Sequence, residues 1–409
     1  MRRAARLAQT DAATVVFARG EGSNLFDVDD NRFVDLAAGF GSAILGHGPS
    51  PAHAAAAAQL GTLAQGLGDL YPTDRKIELL DALAALHPDH DARVMLTQSG
   101  ADAVTAALKT AVLATGRPGV IAFEGAYHGL SYAPLAACGF APSFREPFAA
   151  QLGDHVRFVP YPASESGLDH VLAAVDGALA GGDIGALLVE PVLGRGGVVV
   201  PPSAFLSELA SRARAAGALL VADEIWTGVG RSGALVRSVA AGGVPDIICL
   251  GKGLGASFPI SACIGRGSVM AAWARGGSVV HTSTHAGAPL GCAAALATLA
   301  EVRSSDLAER ATALGGRLVG ALADALRGSS RVSAVRGEGL MVGVALDAPG
   351  AAAQLAGALL AEGYVTTLGG AAAEVLVLTP PLTIDERVLH GVVDAVARAL
   401  REPDGQGST

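Results

Sequence analysis

The chain has 409 residues, which at about 150 residues per domain indicates two or three domains. Hydrophobic residues make up 51% and charged residues 16%, a composition that supports a large core and excludes an extensively disordered chain. The formal net charge of −9, without a long basic run, argues against a general binder of nucleic acid or of anionic membranes.

No apolar stretch reaches the about 18 residues that a membrane helix needs, and the basic start at residues 1–14 lacks the apolar block of a secretory signal. The four cysteines are scattered, without a C-x-x-C motif, which predicts a reduced cytoplasmic protein without zinc ribbons or disulfides. His87 and His90 are spaced like a pair of metal ligands, but the sequence near them offers no third ligand, so we expect no metal site. The cysteines are Cys138, Cys249, Cys263 and Cys292.

The first predicted elements are a hairpin and two helices. Residues 22–36 alternate apolar and polar side chains around Asp29, Asp30 and Asn31, which predicts two strands joined by a turn. The Ala-rich residues 52–67 predict a helix, and residues 74–86 predict another because their apolar side chains recur at helical spacing.

From Arg93 onward, short continuous apolar runs alternate with helical stretches. Such runs are typical of buried strands in a mostly parallel sheet with helices on both faces, so the fold class is α/β. In these sheets, ligands bind beyond the carboxyl ends of the strands. The runs are residues 94–96, 120–123, 186–189, 218–222, 247–250 and 262–264.

The last hundred residues predict a smaller α+β module. Two helices and three strands precede a final helix, and the last seven residues predict a frayed tail. The predicted elements are helices at 307–326, 352–362 and 386–401, and strands at 332–335, 340–346 and 374–378. We divide the chain into an N-terminal segment (1–60), a large domain (61–304), a C-terminal small domain (305–402) and a tail (403–409).

Lysine occurs three times, at Lys76, Lys109 and Lys252, whereas 26 residues are arginine. Lys252 follows the predicted strand 247–250 and lies between two glycines. A buried lysine at a strand end has a lowered pKa and can form a Schiff base with a carbonyl group. The alternative is an ordinary surface lysine in a loop. Because lysine is scarce in this chain and arginine serves as the usual surface cation, the chemical role is favoured.

Asp223 also ends a predicted strand, 29 residues before Lys252. Pyridoxal phosphate requires a lysine for its aldehyde, a carboxylate for its ring nitrogen and an anion site for its phosphate. The predicted helix start at Ser99, Gly100 and Ala101 offers free backbone N–H groups for that phosphate. Taken alone, Ser99 is better explained as an ordinary helix cap than as a phosphate site. Asp223, taken alone, could equally well be a helix cap or a salt-bridge partner.

Six segments carry a resemblance that covers nearly the whole chain. The segments are SGADAVTAALKTA (99–111), AYHG (126–129), EPVLGRGGVVVPP (190–202), LLVADEIWTGVGRSG (219–233), PDIICLGKGLGASFPISACIGR (245–266) and TSTHAGAPLGCAAALATL (282–299). With these motifs the chain resembles the class III aminotransferases, which are fold-type I enzymes dependent on pyridoxal phosphate. That resemblance implies a large domain with a mostly parallel sheet and a smaller α+β domain built from both chain ends.

The resemblance also implies roles for individual residues. Lys252 would hold the cofactor and move a proton between it and the substrate carbon, and Asp223 would pair with the ring nitrogen. Gly100 and Ala101 would bind the phosphate through their backbone, and Thr284 would reach the phosphate of the neighbouring subunit in a homodimer with shared active sites. Tyr127 and Ile225 would sandwich the ring. The remaining cofactor-site candidates are Ser99, His128 and Glu190.

Three positions depart from the family pattern: Arg195, Val377 and Trp226. Many members that act on ornithine-like or 4-aminobutyrate-like substrates have a glutamate where this chain has Arg195, paired with an arginine where this chain has Val377. We hypothesise that Arg195 binds a substrate α-carboxylate; the alternative is a side chain turned into solvent. Trp226 replaces a residue that is often polar, and Phe40 is a further candidate for the substrate pocket.

The predicted function is ping-pong transfer of an amino group between an amine or ω-amino substrate and a 2-oxo acid or aldehyde. Small-molecule substrates and a second copy of the chain are the expected partners, without nucleic acid or membrane. A decarboxylase, aminomutase or lyase on the same scaffold is the alternative, and a non-catalytic cofactor-binding relative is a third hypothesis. The joint presence of Lys252, Asp223, Tyr127 and Thr284 argues against the third.

Overall fold

The structure is a computed structural model that describes residues 15–68, 70–275 and 277–401. The basic start at residues 1–14 and the tail from residue 402 lie outside the described residues, so the expectations for them stay predictions.

The N-terminal part forms a small antiparallel sheet. Its strands are β1 (Phe17–Glu21), β2 (Asn24–Asp27) and β3 (Arg32–Asp35). β2 and β3 are the hairpin predicted at residues 22–36, and β1 pairs with the outer edge of β2. Asp27 shapes the hairpin turn, because its carboxylate accepts hydrogen bonds from the backbone N–H groups of Asp29 and Asn31.

A seven-stranded sheet forms the centre of the molecule. Its strands in chain order are β4 (Arg93–Thr97), β5 (Gly119–Phe123), β6 (Val156–Val159), β7 (Ile184–Val189), β8 (Leu219–Asp223), β9 (Ile247–Leu250) and β10 (Ser261–Gly265). Across the sheet they lie in the order β4, β10, β9, β8, β7, β5, β6. β10 runs opposite to the other six strands, which are parallel to one another, and this confirms the predicted mostly parallel arrangement.

Helices cover both faces of this sheet. The longer helices are α1 (Pro51–Thr62), α2 (Asp74–Ala84), α3 (Gly100–Thr115), α4 (Glu165–Leu179), α5 (Phe205–Ala216), α6 (Pro289–Ser304), α7 (Leu307–Ala325), α8 (Ala351–Ala361) and α9 (Glu386–Arg401). Alternate residues of β7 serve the two faces: Ala186 and Leu188 pack with α3, whereas Leu187 and Val189 pack with α4 and α5. The continuous apolar runs in the sequence therefore correspond to strands buried on both faces.

Short helical turns connect several of these elements. Single turns of α-helix are Tyr132–Ala136, Pro142–Arg145, Arg237–Ala240 and Gly267–Met270, and 3₁₀ turns are Glu146–Gln151, Lys252–Gly255 and Ala271–Arg275. Residues 38–41 form a left-handed turn, because all four have positive φ. No helix in the described ranges has the length and apolarity that crossing a membrane requires.

The C-terminal part adds a second four-stranded sheet and one strand of the N-terminal sheet. Its strands are β11 (Val332–Glu338), β12 (Met341–Leu346), β13 (Tyr364–Val365), β14 (Thr367–Gly369) and β15 (Val375–Leu378). β11, β12, β15 and β14 form the second sheet, whereas β13 pairs in parallel with β3. That pairing supports a small domain built from both chain ends, and the domain boundaries stay a prediction.

The predicted helix at residues 52–67 is shorter in the structure and ends at Thr62. Leu63 is extended, with φ −156° and ψ 104°, and Gly66 and Gly68 follow it. Each glycine disfavours a helix by about 1 kcal/mol relative to alanine, so the Ala-rich segment loses its helical tendency before residue 67.

Candidate active site

The carboxyl ends of the parallel strands meet at one cavity of about 180 Å³. Asp223 ends β8, Glu190 follows β7, and Lys252 follows β9. The segment after β5 and the first turn of α3 complete the walls. The lining residues are Gly100, Ala101, Tyr127, His128, Gly129, Glu190, Arg195, Asp223, Ile225, Trp226 and Lys252. The structure therefore brings together most residues that the sequence analysis nominated from separate segments.

Asp223 is held in place by two hydrogen-bond donors. Nδ1 of His128 lies 2.7 Å from Oδ2 of Asp223, and the N–H of Ile225 donates to Oδ1 at 3.2 Å. Both side chains are buried, with 4% of the Asp223 residue exposed. The other ring nitrogen of His128, Nε2, is buried without a hydrogen-bond partner among the described residues. Because a buried carboxylate needs such donors, His128 and Ile225 keep Asp223 oriented at the cavity.

Lys252 begins the 3₁₀ turn after β9, in the left-handed region with φ 43°. Its Nζ lies 3.9 Å from the centre of the Trp226 ring, within the range of a cation–π contact. Burial lowers the pKa of the Lys252 amine to about 8, against the attraction of Glu190 and Asp223, which favours the charged form. An amine with this pKa can hold or release a proton near neutral pH.

Glu190 ties two loops of the cavity together. Its Oε1 accepts the N–H of Tyr127 at 2.6 Å, and its Oε2 accepts the N–H of Gly194 at 3.0 Å. Burial and the nearby Asp223 raise the pKa of Glu190 to about 7, although His128 opposes the shift. Both carboxylate oxygens are therefore occupied by backbone donors, which fixes the loop after β5 against the loop after β7.

The first turn of α3 faces the cavity with unsatisfied backbone donors. The N–H groups at a helix start have no acceptor within the helix, and Gly100 and Ala101 line the cavity at this end. A Cβ placed on Gly100 would lie 2.7 Å from Cδ1 of Ile225, so glycine allows the helix to approach that side chain. The Ser99 hydroxyl accepts the N–H of Asp102 at 3.2 Å, which is the helix-capping role.

Trp226 fills a slot that two glycines leave open. A Cβ on Gly41 would lie 2.6 Å from Nε1 of Trp226, and a Cβ on Gly194 would clash with its six-membered ring. The indole packs with Met341, Val377 and neighbouring apolar residues. Its Nε1 is buried beside Gly41, without a hydrogen-bond partner in the described part of the chain.

Three nominated residues do not line the cavity of their own chain: Ser99, which caps α3, Thr284 and Phe40. Thr284 is exposed, and its carbonyl accepts Nε2 of Gln65 at 2.7 Å. Phe40 is 59% exposed and does not line the cavity. The role of Thr284 at a neighbouring subunit's phosphate and that of Phe40 at the substrate stay predictions.

The sequence analysis missed two groups of residues. Phe140 and Phe144 stand beside Tyr127 and, with it, surround the Arg195 guanidinium; their spacing of four residues on either side of a proline was the available signal. Arg231 is fully buried and donates to the carbonyls of Leu340 and Pro380, and burial lowers its pKa to about 9. No feature of the sequence distinguished Arg231 from a surface arginine.

The residues at the cavity fit pyridoxal phosphate on chemical grounds. An amine of lowered pKa can attach to its aldehyde, and a buried carboxylate can pair with its ring nitrogen. The free amides of Gly100 and Ala101 suit its phosphate.

Comparison with known proteins agrees with this chemistry. The model of the family described as aminotransferase class III matches residues 7–400. The chain belongs to the class III aminotransferase family. It is 34% identical to the acetylornithine aminotransferase of Methanothermobacter thermautotrophicus, over 95% of this chain and 94% of that protein. It is 38% identical to the acetylornithine aminotransferase of Mycobacterium tuberculosis, over 94% of this chain and 92% of that protein.

Solved structures extend the likeness to the whole fold. An amine transaminase from an uncultivated Pseudomonas species, determined with pyridoxal phosphate bound, is 30% identical with a TM-score of 0.89, over 95% of both chains. The ornithine aminotransferase of Toxoplasma gondii is 27% identical with a TM-score of 0.87, over 98% of this chain and 93% of that chain. The α/β fold, the transaminase class and the pyridoxal phosphate cofactor are thereby confirmed for this aminotransferase.

Proposed function

We propose that this aminotransferase moves an amino group between an amine or ω-amino substrate and a 2-oxo acid or aldehyde in two half-reactions. The observation that carries the proposal is the placement of Lys252 and Asp223 in one cavity, with Asp223 held by His128 at 2.7 Å. Relatives named for acetylornithine and for 5-aminovalerate support an amino group remote from a carboxylate; the 5-aminovalerate aminotransferase of Pseudomonas aeruginosa is 35% identical over 81% of this chain.

Pyridoxal phosphate supplies an aldehyde that exchanges amines and a ring that accepts electrons. Lys252 holds the cofactor and then carries a proton to and from the substrate carbon, which its pKa of about 8 permits at neutral pH. Asp223 would supply a negative charge to the ring nitrogen of the bound cofactor, and His128 orients that carboxylate. Tyr127 and Ile225 both line the cavity, and Glu190 fixes the loop that carries Tyr127.

A homodimer with shared active sites is part of the same proposal. Six exposed apolar side chains from two segments support it, and we call them together the exposed apolar surface: Leu60, Leu67, Leu70, Tyr71, Val279 and Val280. The Gln65–Thr284 hydrogen bond joins the two segments that carry this surface, so the surface lies beside the residue expected to reach a second site. Apolar patches of this kind are typical of interfaces.

The four cysteines are free thiols, which supports a reducing location such as the cytoplasm.

The half-reaction tests this function directly. Holoenzyme is mixed with an amino donor alone, and the absorbance of the cofactor is followed. We expect lasting conversion from the aldehyde form to the amine form, reversed by adding a 2-oxo acid. Return to the aldehyde form without an acceptor, with release of product, would identify a lyase or decarboxylase instead. Absence of any change across a panel of donors would contradict turnover altogether.

A further inference from the structure

Arg195 lines the same cavity as Lys252, yet it has no carboxylate partner among the described residues. The two acidic groups of the cavity are already engaged. Glu190 accepts the backbone N–H groups of Tyr127 and Gly194, and Asp223 accepts His128 and the N–H of Ile225. The guanidinium of Arg195 is therefore a charged group at the site whose hydrogen-bond donors are not used by either acid.

Three aromatic rings hold this guanidinium in place. Its central carbon lies 4.7 Å from the ring centre of Tyr127, 5.2 Å from that of Phe140 and 5.6 Å from that of Phe144. We call these three rings the aromatic tripod. The rings also contact one another, because Phe140 lies 6.4 Å from Tyr127 and 5.6 Å from Phe144. Aromatic faces attract the positive charge but accept none of the N–H donors at its edge in a strong hydrogen bond.

The backbone around Arg195 is fixed on both sides. The N–H of Gly194, the preceding residue, donates to Glu190, and the carbonyl of Arg195 accepts the N–H of Gly370 at 2.9 Å. Glu190 also holds Tyr127 of the tripod. The buried carboxylate of Glu190 thus fixes both the loop that carries Arg195 and the backbone of Tyr127, which keeps the guanidinium at a defined place in the cavity.

Among the described residues that line the cavity, Arg195 is the one arginine. The nearby guanidinium of Arg336 already donates to the carbonyls of Gly197 and Val198. Val377 and Val375 are buried in an apolar cluster with Trp226. A planar guanidinium whose donors are free, beside apolar side chains, matches a carboxylate through two parallel hydrogen bonds. The reacting amine of such a ligand must also reach Lys252. Because Arg195 and Lys252 line the same cavity, a ligand that reaches both has its carboxylate close to its reacting carbon.

We propose that Arg195 binds the substrate carboxylate, and that one substrate of this enzyme is an α-amino acid with its 2-oxo acid. This inference rests on the proposed transamination and names the substrate class of one half-reaction. The aromatic tripod has a second consequence. Because the rings stabilise the guanidinium without a carboxylate, the same site also accepts an amine that lacks one, and Arg195 need not leave the cavity.

Alanine and isopropylamine provide a matched pair of donors, because a carboxylate in one replaces a methyl group in the other. The half-reaction of the holoenzyme is followed at the cofactor absorbance with alanine, glutamate and isopropylamine. For Arg195→Met we expect the half-saturating concentration of alanine and glutamate to rise about tenfold or more, whereas that of isopropylamine changes little. Arg195→Lys keeps the charge but loses the paired geometry, so its effect is intermediate.

Arg145→Met is the matched control, since Arg145 stacks on Phe158 at 4.2 Å and does not line the cavity. It should leave all three donors unaffected. Any of three results would overturn the proposal. Arg195→Met could leave the half-saturating concentrations of alanine and glutamate unchanged, or it could raise that of isopropylamine equally. The third such result is a wild-type enzyme that reacts with isopropylamine but with neither alanine nor glutamate. A wild-type enzyme that converts none of the donors contradicts the proposed function itself, which separates the two failures.

Discussion

His128 and Asp223 form a buried pair, with Nδ1 of the imidazole 2.7 Å from Oδ2 of the carboxylate. The two residues come from different strand ends, after β5 and at the end of β8. The pair leaves Asp223 facing the cavity that also contains Lys252. A charge held at a fixed place in a buried site stabilises a cationic ring more strongly than a mobile, solvated charge does.

Asp223→Asn keeps the size and shape of the side chain and removes its charge. We expect the rate of the half-reaction at saturating donor to fall by about 10²–10³-fold, as when one electrostatic stabiliser is removed from an active site. Single-turnover absorbance measurements with the cofactor-saturated variant would show this loss. A rate within a factor of about two of the wild type would contradict the role of the carboxylate.

His128→Ala tests the support of Asp223 separately. The carboxylate remains but loses its imidazole partner, so we expect a loss about tenfold smaller than that of Asp223→Asn, together with weaker retention of the cofactor. Dialysis followed by absorbance measurement gives the retained cofactor. His170→Ala is the control, because His170 is exposed on α4, and it should behave as the wild type.

The amine of Lys252 predicts how the stability of the apoenzyme depends on pH. Burial lowers its pKa from 10.5 to about 8, so below pH 8 the folded protein carries a buried charge at a cost. The free energy of unfolding is therefore reduced by this group below about pH 8, and it recovers as the pH rises from 8 towards the unfolded pKa of 10.5. Lys252→Met should therefore stabilise the apoenzyme by about 1–3 kcal/mol near pH 7 and by less near pH 10.

Urea unfolding of the two apoproteins at both pH values measures this difference. The difference between the two proteins at one pH cancels most contributions of the other titrating groups, so the change of that difference with pH reports on Lys252. A stabilisation that is equal at both pH values would contradict the buried amine as its source.

Much of this architecture could be predicted from the sequence because it depends on repeated local patterns. Buried parallel strands produce continuous apolar runs, and all six runs noted in the sequence correspond to β4, β5, β7, β8, β9 and β10. β6 was missed because Arg157 interrupts its apolar character at the sheet edge. β13 and β14 were missed because strands of two or three residues carry no periodicity.

The site was predictable where rare residue types follow strands, and less so where packing decides. Lys252 and Asp223 could be nominated by position alone, and the structure brings them to one cavity. The tripod residues Phe140 and Phe144 could not, since their contact with Arg195 depends on how two loops meet in three dimensions. For the same reason the sequence could not decide whether Ser99 acts at the cofactor or as the cap that the structure shows.

The close approach of Gly100 to Ile225 predicts a substitution with a rescue. In Gly100→Ala the new Cβ would lie 2.7 Å from Cδ1 of Ile225, so either the helix start or the side chain must move into the cavity. We expect the Kd for pyridoxal phosphate to rise about tenfold, and Ile225→Ala in the same protein to restore part of the affinity.

Fluorescence titration of the apoproteins with pyridoxal phosphate measures these values. Gly177→Ala in α4 is the control, because a Cβ there meets no atom within 4 Å. A Gly100→Ala protein that binds the cofactor as the wild type does would show that this contact does not shape the site.

The exposed apolar surface predicts the effect of a charge at its most exposed residue. Val279 is 82% exposed, so Val279→Asp should cost the isolated chain little stability. If a second copy covers this surface, a buried unpaired carboxylate weakens the dimer about a hundredfold or more. Analytical ultracentrifugation over a range of concentrations measures the association, and Val28→Asp on the β2–β3 turn, 51% exposed, is the control. A wild-type protein that sediments as a monomer would contradict the dimer.

The most direct test of the account is the attachment of the cofactor to Lys252. The chain has three lysines, and the amines of Lys76 and Lys109 donate to the carbonyls of Gly68 and Val280. Holoenzyme is reduced with borohydride, digested and mapped by mass spectrometry for the mass of reduced pyridoxal phosphate. The account predicts that the label lies on the peptide containing Lys252 and disappears in Lys252→Met. Label on Lys76 or Lys109, or on no peptide although the cofactor is bound, would contradict it.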